Sequence, residues 1–410
     1  MSKNLKKNFI WNIIGTTFSA FSSLFFMIVV TRINGTNDAG IFTFAFSTAC
    51  LFYVIGIYSG RTYQITDNDK NISDSDYFYS KFCTCLLMIV ISILFCLIRK
   101  YDIYKFIVII ELVLYKLCEA ISESSFAILQ KKDNLYKVGI SLFLKAVFSL
   151  LFFIIVDIIT KNILIASSML ILFNIIFMIF YDFKNLKKVN FKLETINYSN
   201  IKKLLLGGFF AFGFSFLTLY VINAPKYIID FLLTNSDQTI YGIIAMPATV
   251  LILFGQYIIQ PFLVMLKEKL KTSKKEFIKL TLQMCSIILA FGAVCIIAGY
   301  LLGIPILQLL YGLNLKKNRI DLLLIILGGS LYAASFVFST SLTTMRHTKN
   351  QFVIFLITSI VSTTLSYIFV SKYGVFGASL SYMLSMLFLL VLYIIDFFIR
   401  INKYRGDKNV

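Results

Sequence analysis

The chain has 410 residues, of which 59% are hydrophobic and 14% are charged, and its mean hydropathy is +0.84. This composition excludes an ordinary soluble domain and leaves no room for a catalytic domain outside the apolar segments. The net charge of +19 would suit a nucleic-acid-binding protein, but the basic residues are concentrated in alternate joints between apolar segments, so we expect no nucleic acid partner.

Roughly twelve apolar stretches follow one another, each long enough to cross a hydrocarbon core of about 30 Å as a helix. In chain order, the predicted spans are 9–31, 40–60, 82–98, 103–128, 136–157, 163–181, 204–232, 240–265, 277–300, 321–344, 351–370 and 375–399. Backbone polar groups cannot stay unpaired in lipid, so the pattern predicts an all-α polytopic bundle.

The distribution of basic residues predicts the orientation of these spans. The N-terminus, alternate joints and the C-terminal tail hold about 27 of the 39 Lys and Arg residues, whereas the opposite joints hold about 9. The positive-inside rule therefore places both termini in the cytoplasm and predicts contact with anionic lipids there.

Charged residues within or beside the first five spans are candidates for a functional site. Arg32 and Arg61 stand at the ends of the first two spans, where they could line a cavity mouth or merely anchor the helix ends. In the fourth span, which also contains Glu111, the residues Lys116, Glu119 and Glu123 fall within roughly 60° of one another on one helix face. Lys145 lies about midway along the fifth span, and its own neighbouring helix turns offer no carboxylate.

Two interpretations of these charges stay open. In one, Lys116 pairs with Glu119 or Glu123 as a structural clasp, and Lys226 in the seventh span extends its ammonium group to the membrane surface. In the other, the lysines line a wet central cavity and bind an anionic substrate, while the carboxylates bind a coupling ion. The isolated position of Lys145 favours the second interpretation.

Two prolines lie in the seventh and eighth spans. The segment Asn223-Ala224-Pro225-Lys226 is expected to interrupt the outer part of the seventh span, and Pro247 is expected to kink the eighth. Each proline could act as a hinge or could be a static packing feature.

Faint similarities between the halves predict an internal repeat. Ile240-Tyr241-Gly242 opens the eighth span as Asp38-Ala39-Gly40 opens the second, and Ile395-Asp396-Phe397 closes the twelfth as Tyr181-Asp182-Phe183 closes the sixth. Six spans per half would make the repeats parallel. We therefore expect an N-terminal bundle at 1–190, a cytoplasmic linker at 191–203 and a C-terminal bundle at 204–410.

The sequence offers little material for cofactor or metal chemistry. The segment Gly208–Ser215 has the glycine spacing of a phosphate-binding loop but lacks its lysine, so we expect no ATP hydrolysis by this chain. The seven cysteines show no metal-ligand spacing, and we expect no cofactor and no metal site.

Several short segments resemble those of Wzx-type oligosaccharide flippases, in the same order along the chain. They are Lys6-Lys7-Asn8, Thr31-Arg32-Ile33-Asn34-Gly35, Ala39-Gly40-Ile41-Phe42, Ile304–Gly312 and Tyr373–Ser379. Those flippases belong to the multidrug/oligosaccharidyl-lipid/polysaccharide exporter (MOP) superfamily, which also contains multidrug and toxin exporters and the lipid II flippase.

The resemblance implies a MATE-like fold, with two six-helix bundles around a central cavity that opens alternately to each side. It implies a non-enzymatic transporter that moves polyprenyl-diphosphate-linked oligosaccharide to the outer leaflet of a bacterial inner membrane, for capsule, O-antigen or another surface polymer. Polysaccharide polymerase and chain-length machinery are further partners to consider. Lys116 and Lys145 would contact the diphosphate, with Lys226, Arg32 and Arg61 as further cationic candidates.

In the second interpretation of the charges, Glu119, Glu123 and Glu111 are the candidates for binding the coupling ion, and the lack of an ATP site indicates that a proton or sodium gradient drives transport. Two alternatives remain. A multidrug exporter of the same fold would favour a more acidic cavity. A polysaccharide polymerase would need a large external loop, whereas the longest external joint here is about 20 residues, near Leu302–Arg319.

Overall fold

The computed structural model describes residues 3–58, 60–67, 69, 71–345 and 348–404, and no strand occurs among them. In chain order, the α-helices are α1 (Lys3–Ile57), α2 (Gly60–Thr66), α3 (Asp74–Arg99), α4 (Ile103–Lys131), α5 (Leu135–Thr160), α6 (Ile163–Phe177), α7 (Lys184–Lys188), α8 (Tyr198–Leu232), α9 (Asn235–Ile259), α10 (Leu263–Thr272), α11 (Lys274–Ala298), α12 (Ile304–Tyr311), α13 (Arg319–Thr344) and α14 (Thr348–Lys403). π-helical turns follow α6 at Met178–Phe183 and α11 at Gly299–Gly303. The all-α prediction is confirmed.

Within the described residues, nine helical segments are long and apolar enough to cross a membrane. Two of these, Lys6–Thr66 and Lys349–Lys403, have 61 and 55 residues, enough for two crossings each. Helix α4 has 29 residues and is also long enough, although its glutamates and lysines make it more polar. Together these segments account for the predicted series of about twelve spans, and the chain is a multi-pass membrane protein.

Glycines divide each of the two longest helices. Gly35 in α1 has φ 84° and ψ −177°, and Gly374 in α14 has φ 58° and ψ −132°. Both lie in predicted joints. A Cβ atom would meet nothing within 4 Å at either position, so the positive φ rather than a lack of space requires glycine.

Several span boundaries differ from the prediction, and two of them show how polar residues extend a helix beyond its apolar segment. Helix α3 begins at Asp74 rather than near 82, since Ser73 and Asp76 form a capping box. The sixth helix continues through the π-helical turn and α7 to Lys188 rather than ending at 181. An apolar run marks the part of a helix suited to hydrocarbon, and the helix itself can be longer.

The chain divides into two compact units, Met1–Phe216 and Leu217–Val410, whereas the predicted linker at 191–203 stays a prediction. In the first unit, α1 packs along α5 and also contacts α3 and α4. Gly15 and Gly139 allow the close α1–α5 approach, because a Cβ on either would overlap the backbone of the opposite helix. Small residues often permit this kind of packing between membrane helices.

In the second unit, α13 is the central helix and packs against α9, α11 and α14. It is rich in small buried residues, including Gly328, Gly329 and Ser330. A Cβ on Gly329 would lie 3.0 Å from that of Ala248 in α9, which shows how closely these helices approach. The core of this unit therefore also relies on close helix packing.

The prolines do not interrupt their helices. Helix α8 continues through Pro225 from Tyr198 to Leu232, so the predicted interruption of the seventh span is wrong. Pro247 likewise lies inside α9. A proline removes one backbone donor, but the surrounding helical bonds can maintain the helix. The hinge role of either proline stays a prediction.

Candidate functional site

A polar cavity of about 270 Å³ lies inside the first unit and is lined by residues of α1, α2, α4 and α5. Four residues singled out from the sequence line it: Arg61, Glu119, Glu123 and Lys145. Hydroxyl-bearing side chains form much of the remaining wall; they are Thr16, Ser19, Ser22, Tyr53, Tyr115 and Ser122. The cavity thus combines ionic groups with many hydrogen-bonding groups.

Arg61 reaches the cavity because the chain turns sharply after α1. Tyr58 and Gly60 have φ values of 48° and 71°, and the short helix α2 starts at Gly60. The Arg61 Nε atom lies 3.8 Å from Glu123 Oε2, which is too far for a hydrogen bond. Its Nη1 atom is buried without a hydrogen-bond partner. Arg61 is therefore the most loosely paired cation of the site.

Lys116 forms a closer ion pair than Arg61 does, with Glu119 one helical turn further along α4. Its Nζ atom lies 2.8 Å from Glu119 Oε2. The ammonium group also lies 5.0 Å from the ring centroids of Phe46 and Tyr115 and 5.9 Å from that of Tyr53. The carboxylate and the aromatic faces together compensate for removing this charge from water.

Lys145 is held in a buried network. Its Nζ atom donates to Asp182 Oδ2 and to Ser122 Oγ, both at 2.6 Å. Asp182 in turn accepts a 2.6 Å hydrogen bond from Ser141 Oγ. The Lys145 and Asp182 side chains are only 8% and 1% exposed. An ammonium group has three donors, so one more remains for a group in the cavity.

The carboxylate partner of Lys145 comes from another helix. The neighbouring turns of its own helix supply none, as stated from the sequence, but the π-helical turn after α6 presents Asp182 to it. This pair was not predicted, because Asp182 was assigned to a joint beyond the sixth span. The proposed contact of Lys145 with substrate stays a prediction.

Lys81 is a further buried cation that sequence analysis missed, because it was placed just outside the third span. It is 5% exposed, and its Nζ atom donates a 2.7 Å hydrogen bond to Ile57 O at the end of α1. Thr84 donates at the same distance to Gly56 O. These bonds satisfy carbonyl groups at the end of α1, immediately before the turn that carries Arg61. Lys81 also interacts electrostatically with Glu123.

Counted over the described residues, the ionic side chains that line the cavity and the groups paired with them balance in charge. The three basic residues are Arg61, Lys116 and Lys145, and the three acidic residues are Glu119, Glu123 and Asp182. Lys81 is a further nearby cation, and its ammonium group is bonded to Ile57 O. The loose Arg61–Glu123 contact is where an anionic ligand could bind a cation without breaking a close ion pair.

Other candidate residues lie elsewhere. Glu111 accepts a 2.6 Å hydrogen bond from Ser168 and is about 18 Å from Glu123 along α4. Arg32 is exposed near the Gly35 kink, and Lys226 is half-buried in the second unit. The structure therefore groups Glu119 and Glu123, but not Glu111, around the cavity. Among the described residues, no group of three or more His, Cys, Asp or Glu residues could hold a metal ion.

Comparison with solved structures identifies the fold. The lipid II flippase MurJ in an inward closed conformation has a TM-score of 0.65 with this chain at 17% identity, covering 96% of this chain and 90% of MurJ. The inward-facing multidrug resistance MATE family transporter of the MOP superfamily also gives 0.65 at 12% identity, covering 96% and 98%. The chain therefore has the fold that these two structures share, called the MOP fold below. The resemblance stated from the sequence is thus confirmed at the level of the fold.

Sequence comparison finds a relative of similar length. The capsular polysaccharide biosynthesis protein CapF of Staphylococcus aureus is 28% identical over 396 residues, covering 94% of this chain and 98% of CapF. No family model matches the chain. The similarity to CapF extends over both units of the MOP fold.

Proposed function

We propose that this protein is a flippase for polyprenyl-diphosphate-linked oligosaccharide in surface polysaccharide assembly. It moves the lipid from the cytoplasmic to the outer leaflet of a bacterial inner membrane by ion-coupled alternating access, without a covalent reaction. Both termini lie in the cytoplasm. The MOP fold, the name of CapF and the presence of a lipid II flippase among the structural neighbours support this proposal.

The loosely paired Arg61 in the cavity is the observation that carries the proposal. A diphosphate is an anion with several acceptor oxygens, and guanidinium and ammonium groups bind phosphates strongly. Arg61 has the buried Nη1 atom without a hydrogen-bond partner, so it is the first contact that we assign to the diphosphate. Lys145 and Lys116 would contribute further positive potential.

The size of the cavity suits the diphosphate rather than the whole glycan. Pockets for drug-sized ligands usually measure about 300–1,000 Å³. A cavity of about 270 Å³ therefore accommodates the charged linkage and at most a small part of the adjoining sugar. Recognition of a common linkage would allow one transporter to accept different sugars.

Loading would require an exchange of ionic partners. Glu123 lies 3.8 Å from Arg61, and a diphosphate oxygen could replace this weak contact with direct hydrogen bonds. Protonation of Glu123 would have the same effect, because it removes the competing negative charge. Glu119 competes in the same way for Lys116. These carboxylates are therefore our candidates for linking substrate binding to a proton.

The test is to delete the gene in its bacterial host and to determine both the surface polymer and the leaflet that holds its lipid-linked repeat units. The proposal predicts loss of polymer with complete repeat units trapped on the cytoplasmic leaflet. Repeat units accumulating on the outer leaflet would instead indicate a polymerase. Normal polymer with new drug sensitivity would indicate an exporter.

Complementation with variants connects this phenotype to the cavity. Arg61→Ala should fail to restore the polymer at normal protein level, while Arg61→Lys should restore part of it. Arg319→Ala is the matched control. Arg319 contacts Tyr300 in the second unit, so this substitution removes the same charge outside the cavity. Full activity of Arg61→Ala would exclude this cavity as the diphosphate site.

A further inference from the structure

An open groove on the second unit provides a site distinct from the polar cavity. Its volume is about 770 Å³, and it is lined by one face of α11 together with Phe262, the residue before α10. Much of the lining is apolar and exposed, as at Leu282 and Ile287. Its shape and composition are suited to a flexible hydrocarbon chain.

The polarity of the groove changes systematically along α11. Lys275, Lys279, Gln283 and Ile287 all line it at successive four-residue intervals, or about 6 Å per step. Two positive charges thus come first, an uncharged polar side chain follows, and an apolar side chain comes last. A glycerophospholipid has the same order of groups: a phosphate, ester carbonyls and an acyl chain.

Both lysines are available to a phosphate. Each is exposed, and neither forms an ion pair within 4 Å among the described residues. The neighbouring carboxylate, Glu276, is instead paired with Lys269. The positive end of the groove lies in the basic Lys267–Lys279 segment, which the positive-inside rule places at the cytoplasmic leaflet, where anionic lipids are abundant.

We infer that this groove binds an anionic phospholipid of the cytoplasmic leaflet, with its phosphate at Lys275 and Lys279 and one acyl chain along Leu282 and Ile287. The two lysines select a negatively charged headgroup, and Gln283 lies at the depth of the ester groups. This inference does not depend on the transported substrate or on the polar cavity.

The single tryptophan of the chain, Trp11, allows a direct test. We would combine Trp11→Phe with Leu282→Trp and reconstitute the protein in phosphatidylcholine vesicles. Phosphatidylglycerol or phosphatidylcholine with brominated acyl chains would be added at equal mole fractions. Bromine quenches tryptophan at short range, so the relative quenching reports which lipid occupies the groove.

We expect an apparent preference of roughly tenfold or more for phosphatidylglycerol at this reporter, which two lysines at a membrane surface are sufficient to provide. Lys275→Gln with Lys279→Gln should abolish the preference. Lys267→Gln with Lys274→Gln removes the same charge from exposed positions that do not line the groove, and it should retain the preference. A Phe82→Trp reporter on α3 should show much less preference. Phe82 is exposed and lies as many residues from the start of α3 as Leu282 does from the start of α11.

Equal quenching by both lipids at Leu282→Trp would overturn the inference, as would a preference that survives loss of Lys275 and Lys279. Relief of quenching by added polyprenyl diphosphate but not by unlabelled phosphatidylglycerol would also overturn it, because the groove would then hold the tail of a polyprenyl lipid. Since the assay measures binding without transport, its failure leaves the proposed flippase function intact.

Discussion

Arg61 and Glu123 form the contact of the cavity that is easiest to exchange. Arg61 Nε and Glu123 Oε2 lie 3.8 Å apart, whereas the nitrogen and oxygen atoms of the other two ion pairs of the site lie 2.8 Å and 2.6 Å apart. The short helix α2 presents Arg61, and the long helix α4 presents Glu123. A ligand that separates these side chains therefore leaves the two closer pairs intact.

The first prediction concerns Glu123→Gln. This change removes the negative charge that competes for Arg61, so a soluble short-chain polyprenyl diphosphate should bind several-fold more tightly to the purified variant. Titration calorimetry of both proteins would measure the difference in affinity.

The matched control for that experiment is Glu111→Gln. Glu111 lies on the same helix but contacts Ser168 away from the cavity, so its replacement should leave diphosphate affinity unchanged. Unaltered affinity in Glu123→Gln would show that this carboxylate does not compete with the ligand.

A second prediction separates the structural and functional roles of Lys145. Asp182→Asn leaves the lysine in a buried site without its carboxylate and should destabilise the protein by about 3–5 kcal/mol. Lys145→Met combined with Asp182→Leu removes both charges and should recover most of that stability. Thermal unfolding in detergent would measure these differences.

The same double variant then tests substrate binding. If Lys145 contacts the diphosphate, the folded double variant should bind it at least tenfold more weakly than the wild type. Wild-type affinity together with recovered stability would show that the pair is only structural. The double variant thus avoids confusing loss of folding with loss of the site.

Part of this site was predictable from the sequence, and the reason differs from residue to residue. The Lys116–Glu119 contact follows from helical spacing alone, and the structure confirms it. The Lys145–Asp182 pair joins different helices, and local spacing contains no information about such contacts. Lys81 was missed because the apolar segment starts after the true beginning of α3.

At the level of helices, the close α1–α5 crossing is the most sensitive contact of the first unit. We predict that Gly139→Ala strongly destabilises the protein, because the new Cβ would overlap the backbone at Trp11 and Asn12. Gly207→Ala should have a small effect, since its Cβ would meet only the movable hydroxyl end of Tyr63. Thermal unfolding of both variants would test this; equal stability would contradict the observed packing.

The number and order of the helices were predictable because each membrane crossing requires a long apolar run. The glycine kinks also fell in predicted joints. Pro225 shows the limit of this reasoning: proline disfavours a helix locally, yet α8 continues through it. The residues of the cavity come together through packing between helices, which the apolar pattern does not specify.

For the whole molecule, the charge of the site suggests how a membrane potential acts on the cycle. The charges of the empty cavity site balance, and a bound diphosphate with about two negative charges would give the site a net charge of about −2. In the proposed cycle, alternating access moves this site from one side of the electric field to the other. An inside-negative potential would then favour the outward step of the loaded site by about 2.3 kcal/mol per charge per 100 mV, and it would leave the return of the empty site unaffected.

The final prediction follows from this charge balance. In vesicles with an inside-negative potassium diffusion potential and no pH gradient, the wild type should move lipid-linked oligosaccharide outward faster than in vesicles without a potential. In Glu123→Gln the loaded site would carry a charge of about −1 instead of about −2, so its outward step should respond about half as strongly to the potential even though the substrate binds more tightly. An equal response in both proteins would mean that the charges of this cavity do not cross the field with the substrate.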